Sequence, residues 1–191
     1  MKNKTLIVIT GPTGVGKTEA TLRIAEHFNV PVINADSRQI FSEIPIGTAA
    51  PTAAQQERVK HFFVGNHHLE DYYSASLYEQ EVLNIINSQV APISLLSGGS
   101  MMYIDAVCNG IDDIPTILPE IREQMMQRLE TEGLKQMCKL LRELDPEHWE
   151  IVDRNNPRRV IHALEICIQT GKTYTSFRTN TIKDRPFNII K

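Results

Sequence analysis

Residues 5–10 (Thr-Leu-Ile-Val-Ile-Thr) form an unbroken apolar run rich in β-branched side chains, directly behind a short polar start. A run of this length without alternation is what a parallel strand covered on both faces requires. Helical spacing follows over residues 17–27. A second run at 30–35 (Val-Pro-Val-Ile-Asn-Ala) ends at Asp36, and a third at 92–96 (Pro-Ile-Ser-Leu-Leu) stops at Gly98-Gly99. Between them, Leu77, Val82, Leu83, Ile85 and Ile86 set a helix over 76–87, and another is predicted over 101–108. Residues 42–75 have little periodicity and many turn formers, so they read mostly as loop. Strands alternating with helices define an α/β domain with a parallel sheet.

Past Gly110 the pattern changes. Residues 119–150 are rich in Glu, Gln, Leu, Met and Arg at helical spacing, with no strand signal. A further helix is predicted over 157–169, with Pro157 at its start and Gly171 as C-cap. The expected organisation is an α/β catalytic core at 1–111, a helical insertion at 112–155, and a core helix with the start of a C-terminal region at 156–191.

The first strand runs into Gly11-Pro12-Thr13-Gly14-Val15-Gly16-Lys17-Thr18, which satisfies the phosphate-loop pattern Gly, four residues, Gly-Lys-Ser/Thr. Glycines let successive N–H groups converge on phosphate oxygens, and the following helix adds the positive end of its dipole. Lys17 would bring a point charge to the terminal phosphates, and the Thr18 hydroxyl suits a magnesium ion. The fold class expected is therefore α/β, a P-loop NTPase-like three-layer fold with a parallel sheet and a helical insertion.

The loop alone fits ATP hydrolysis, phosphoryl transfer, or chemistry in which pyrophosphate leaves. Asp36, ending the second strand where open α/β sheets place ligands, can support magnesium-bound water, take a proton, or simply cap a turn. Ser37, Arg38 and Gln39 crowd the same edge. Ser100 can bond a substrate or cap the helix behind it. The third strand ends without the aspartate that an ATPase of the common type uses to support magnesium.

Charge adds one feature. Residues 1–150 carry 12 Lys/Arg against 20 Asp/Glu, and residues 151–191 carry 8 against 3. This basic tail fits either phosphate-rich partners or a solvated face. Arg154, Arg158 and His162 would share a stripe if the helix reached back past Pro157. Cys108, Cys138 and Cys167 have no metal-ligand spacing and read as reduced core or helix residues. No apolar run approaches membrane-spanning length, so a cytoplasmic monomer with no membrane contact is expected.

Taken in order, the segments resemble the tRNA dimethylallyltransferase (isopentenyltransferase) family. They are Gly-Pro-Thr-Gly-Val-Gly-Lys-Thr at 11–18, Asp-Ser-Arg-Gln-Ile-Phe at 36–41, Ile-Gly-Thr-Ala at 46–49, His-His-Leu at 67–69, Tyr-Ser-Ala at 73–75 and Gly-Gly-Ser-Met-Met-Tyr at 98–103. Pro-Glu-Ile-Arg at 119–122 and Asn-Pro-Arg-Arg-Val-Ile-His-Ala-Leu-Glu at 156–165 complete the set. The resemblance implies transfer of a dimethylallyl group from its diphosphate to the exocyclic amine of the adenosine just 3′ of the tRNA anticodon. It implies that the P-loop holds the leaving pyrophosphate, with 13–18 as the donor-binding stretch and Asp36 as general base. It implies tRNA contacts at Asp36, Ser37, Arg38, Gln39, Ser100, Arg122, Arg158, Arg159, Val160, Ile161 and His162. Two positions depart from the family pattern, His162 for a common Arg and Phe41 for a frequent Tyr. Family members are longer, so a truncated chain is expected, with part of the tRNA-binding helical region beyond Lys191. An adenylate isopentenyltransferase, a small-molecule kinase and a binding module without chemistry are the alternatives.

Overall fold

The computed structural model describes residues 3–12 and 14–191. The chain divides into two compact units, Met1–Ile111 with Ile182–Lys191, and Asp112–Thr181.

The first unit is built on β1 (Lys4–Thr10), α1 (Lys17–Phe28), β2 (Val32–Asn34), α2 (Ala53–Arg58), β3 (His61–Phe62), α3 (Ala75–Ser88), β4 (Ile93–Gly98), α4 (Met101–Asn109) and β5 (Phe187–Ile190). All pairings are parallel, in the order β3-β2-β4-β1-β5. The run read as continuously apolar serves two faces at once. Leu6, Val8, Ile33 and Leu96 pack with Tyr78, Val82 and Ile104 from α3 and α4. Their neighbours Ile7, Ile9, Val32 and Leu95 pack with Leu22 and Ala25 of α1. Each strand residue thus alternates between two helical layers, the three-layer arrangement expected.

Two elements of this unit depart from the sequence reading. The segment 42–75 contains α2, opened by a capping box in which Thr52 and Gln55 exchange side-chain and backbone bonds, and the edge strand β3. The last residues return to the sheet as β5 beside β1. The return is anchored by the buried Arg185, which donates to the buried Glu79 (2.5 Å) and to the Ala106 carbonyl (2.6 Å).

The second unit is helical: α5 (Pro119–Glu132), α6 (Leu134–Leu144), α7 (Pro146–Ile151), α8 (Pro157–Thr170) and a 3₁₀ turn at Thr175–Phe177. The stretch read as one helical tract is broken at Gly133, whose φ is 78°, and at Asp145 before Pro146. Helix α8 was expected with the α/β core. Instead, Val160, Ile161, Ala163 and Leu164 join Met125, Met137 and Leu141 in the core of this unit. The basic stripe through Arg154 does not form, because Asn156 caps α8 by accepting from the Arg159 N–H and starts the helix at Pro157. Arg154 lies over Trp149 instead, 4.5 Å from its ring centre. The three cysteines are free; Cys108 and Cys167 are buried.

Candidate active site

The loop after β1 turns sharply. Gly14 and Gly16 have φ of 85° and 89°, in the left-handed region that favours glycine, and Gly16 opens α1 without a side-chain cap. Among the described residues no side chain caps the start of α1, which leaves its first N–H groups available to an anion. Lys17 reaches back along the loop and donates to the Pro12 carbonyl at 2.6 Å. Thr18 is exposed beside it. Thr13 lies outside the described residues.

At the end of β2, Asp36 accepts the backbone N–H groups of Arg38 (2.9 Å) and Gln39 (3.2 Å) through one oxygen, Oδ1. Among the described residues no hydrogen bond reaches its Oδ2. The turn is pinned to the end of β4. The Ala35 N–H donates to the Ser97 carbonyl (2.7 Å) and the Ser100 N–H to the Ala35 carbonyl (3.0 Å). That approach needs Gly98: a Cβ there would lie 2.2 Å from the Ala35 oxygen.

Ser100 does not cap α4 with its side chain. Its hydroxyl accepts the Ser37 N–H (2.8 Å) and donates to the Ser37 hydroxyl (3.0 Å). Two of the residues expected at this edge, Ser37 and Ser100, are thus bonded to each other. Gln39 donates to the carbonyls of Thr48 (3.0 Å) and Ala49 (3.2 Å), folding 46–49 against the turn. Burial first, and then the charge of Asp36, push the Tyr103 phenol up to about 12.

These elements enclose a cleft of about 450 Å³. Lys17, Thr18, Asp36 and Gln39 line it together with Ser97 and His61. The sequence reading missed the last two. Ser97 exchanges a hydrogen bond with Thr21 at 2.8 Å, joining α1 to β4; Thr21 stands one helical turn after Lys17, which was the available signal. Burial lowers the basicity of His61, whose Nδ1 lies 2.7 Å from the Val59 carbonyl. Its place depends on β3, a strand too short to show in the pattern.

The remaining candidates belong to the second unit. Arg158 and Arg159 are exposed at the start of α8. Arg122 and His162 flank the buried Glu165, with Arg122 Nε at 3.5 Å from one carboxylate oxygen and His162 Nδ1 at 3.5 Å from the other. Val160 and Ile161, included in the expected tRNA-contacting segment, are 0% and 4% exposed. Helical period turns them inward, so the outward face is that of Arg158, Arg159 and His162.

A parallel sheet whose first strand passes through a glycine loop into a helix, with a carboxylate just past the end of β2 in the same sheet, defines a P-loop α/β domain. The match that narrows this class covers residues 39–191, and the chain belongs to the IPP transferase family. It is 58% identical over 193 residues to tRNA dimethylallyltransferase 1 of Bacteroides fragilis, covering 100% of this chain and 64% of that protein. It is 59% identical over 189 residues to tRNA dimethylallyltransferase 1 of Bacteroides thetaiotaomicron, covering 98% of this chain and 61% of that one. The chain therefore spans less than two thirds of the length of these relatives. Among solved structures, it is similar to a eukaryotic dimethylallyltransferase acting on tRNA, with a TM-score of 0.75 and 26% identity over 98% of this chain and 47% of that one. It is also similar to the tRNA isopentenylpyrophosphate transferase of Bacillus halodurans, with a TM-score of 0.54 and 30% identity over 90% of this chain and 57% of that one.

Proposed function

We propose that this chain is the catalytic part of an enzyme that transfers a dimethylallyl group from dimethylallyl diphosphate to the exocyclic amine of the adenosine 3′ of the anticodon in tRNA. The observation that carries the reading is the company of Lys17, Thr18 and Asp36 on one cleft beneath a β4 that ends in Ser97-Gly98, without a carboxylate. A loop that binds phosphate beside a proton acceptor, lacking the acid that supports ATP hydrolysis, suits a diphosphate that leaves. The names of the relatives point to the same group transfer.

In this reading the loop N–H groups and Lys17 hold the diphosphate, and Lys17 exchanges its Pro12 carbonyl for a phosphate oxygen. The amine nitrogen attacks the first carbon of the dimethylallyl group as the bond from that carbon to the diphosphate oxygen breaks. Diphosphate leaves with the electron pair, and the amine proton passes to Asp36. Binding of Oδ1 by two N–H groups fixes the carboxylate and leaves Oδ2 for that proton. Magnesium is commonly held by one or two protein oxygens completed by phosphates and water. The exposed Thr18 hydroxyl next to Lys17 fits that donor set, and a bound ion would neutralise charge on the diphosphate. The target base must leave its stack to enter the cleft. The exposed Arg158 and Arg159 are proposed to grip RNA phosphates, and the proposed compartment is the cytoplasm, where the tRNA acceptor is found.

The test is incubation with labelled dimethylallyl diphosphate and either tRNA or AMP. Label in RNA, at an adenosine beside the anticodon, is the expected result. Label in AMP would make the chain an adenylate isopentenyltransferase, and phosphate release from ATP with neither product would favour a kinase.

A further inference from the structure

The second unit carries a cleft of about 420 Å³ lined by Arg159 and His162 of the proposed RNA face and by three residues with no role so far, His148, Tyr174 and Arg178. His148 is 6% exposed, and its Nδ1 has no hydrogen-bond partner among the described residues. The buried carboxylate of Asp145 makes its bonds to other groups. Asp145, 1% exposed, already accepts the His148 N–H (3.0 Å), the Thr175 hydroxyl (2.8 Å) and the Thr175 N–H (2.7 Å). Those bonds hold the start of α7 and the 3₁₀ turn together, and so place the imidazole at the cleft. Tyr174 packs edge-on against both histidines, with ring centres 4.7 Å from His148 and 5.6 Å from His162. Arg178 lies 5.9 Å from the Tyr174 ring centre.

A buried polar nitrogen left unmet is costly, so such groups are met by water or a ligand. Neither Arg159 nor Arg178 has a carboxylate partner within the described ion pairs, whereas Glu165 is already shared by Arg122 and His162. Two guanidinium groups without a carboxylate partner among the described ion pairs, beside a neutral hydrogen-bonding ring, match a phosphate group, which guanidinium forks recognise well. Burial, ahead of the charges nearby, holds the His148 imidazole below the usual histidine range. The ring therefore offers a hydrogen bond near neutral pH, and the arginines supply the charge. Arg159 is continuous along the chain with Arg158 on the proposed RNA face, which favours a polymer backbone over a small free anion.

We propose that this cleft seats one phosphodiester of the RNA substrate between Arg159 and Arg178, with His148 Nδ1 hydrogen-bonded to a phosphate oxygen. The inference rests on the RNA reading above and extends it to His148, Tyr174 and Arg178. The test is fluorescence anisotropy with a labelled anticodon stem–loop at several salt concentrations, on wild type, Arg178→Gln, His148→Gln and the exposed control Lys172→Gln. Arg178→Gln should lower affinity and flatten the slope of log K against log salt by about 0.7–0.9, the share of one phosphate. His148→Gln should weaken binding by about 2–10-fold, one neutral hydrogen bond, without changing that slope. Lys172→Gln should leave both near wild type, and all three should melt and bind dimethylallyl diphosphate as wild type does.

Wild-type affinity and slope in Arg178→Gln would overturn the proposal, as would a wild-type chain that binds no stem–loop. Inorganic phosphate perturbing the His148 ring resonances while RNA leaves them unmoved would reassign the cleft to a small anion and overturn it too. An Arg178-dependent slope in a chain that labels AMP but never RNA would sink the reading of tRNA as acceptor and leave this cleft as a site for an RNA phosphodiester.

Discussion

Replacing Asp36 by Asn separates its two possible employments. The carboxylate either organises a turn, by accepting the N–H groups of Arg38 and Gln39 through Oδ1, or takes a proton through Oδ2, or both. Asparagine keeps an oxygen at Oδ1 and so keeps the turn, at a cost of under about 1 kcal/mol as two charge-assisted bonds become neutral ones. Alanine removes the acceptor altogether. Water replaces it readily at the exposed Arg38 N–H and less well at the partly buried Gln39 N–H, so about 1–2 kcal/mol is expected. For a chain of this size each kcal/mol lowers Tm by about 2–4 °C. Turnover should fall by about 10²–10⁴-fold in both variants, the range of general acid–base work, while donor affinity stays near wild type. Thermal melts and single-turnover transfer of labelled dimethylallyl group to RNA give the two readouts. If Asp36→Asn kept turnover within a few-fold of wild type, Asp36 would be a turn residue and the base would have to be sought elsewhere.

Two further outcomes follow. Gly98→Ala forces a Cβ to 2.2 Å from the Ala35 oxygen and 2.7 Å from its Cα, both backbone atoms held by the sheet. It should cost at least about 1–3 kcal/mol and displace Asp36, so a melt and turnover unchanged from wild type would show that the β2–β4 approach is slack. Arg158→Ala with Arg159→Ala should flatten the salt dependence of tRNA binding by up to about two phosphate equivalents with donor affinity unchanged. Loss of donor affinity instead would place the pair at the diphosphate.

The parts of this molecule legible in its sequence are those set by local pattern. The apolar runs at 5–10 and 92–96 pointed to strands packed on two faces, and the glycine loop between strand and helix announced itself by spacing. The segment 42–75 was hard to read because α2 is six residues with no buried face and β3 is two residues on the sheet edge. Thr52 and Gln55 did carry a capping-box signal that was passed over. Strand β5 was invisible because its four residues become a strand only by pairing with β1, more than 170 positions away along the chain. Helix α8 went to the wrong unit for a related reason: periodicity says that a face is buried but not against what. At the site, Asp36 and Lys17 could be named from the sequence. The Ser37–Ser100 pair and the place of His61 depend on long-range contacts that no local pattern encodes.

In the proposed function the cleft between the glycine loop and Asp36 takes a prenyl diphosphate in preference to ATP. Calorimetric titration with magnesium present, using dimethylallyl diphosphate, pyrophosphate and ATP in turn, tests it most directly. Dimethylallyl diphosphate and pyrophosphate should bind more tightly than ATP, and no phosphate should be released from ATP. ATP binding more tightly than the allylic diphosphate, with steady phosphate release, would contradict it.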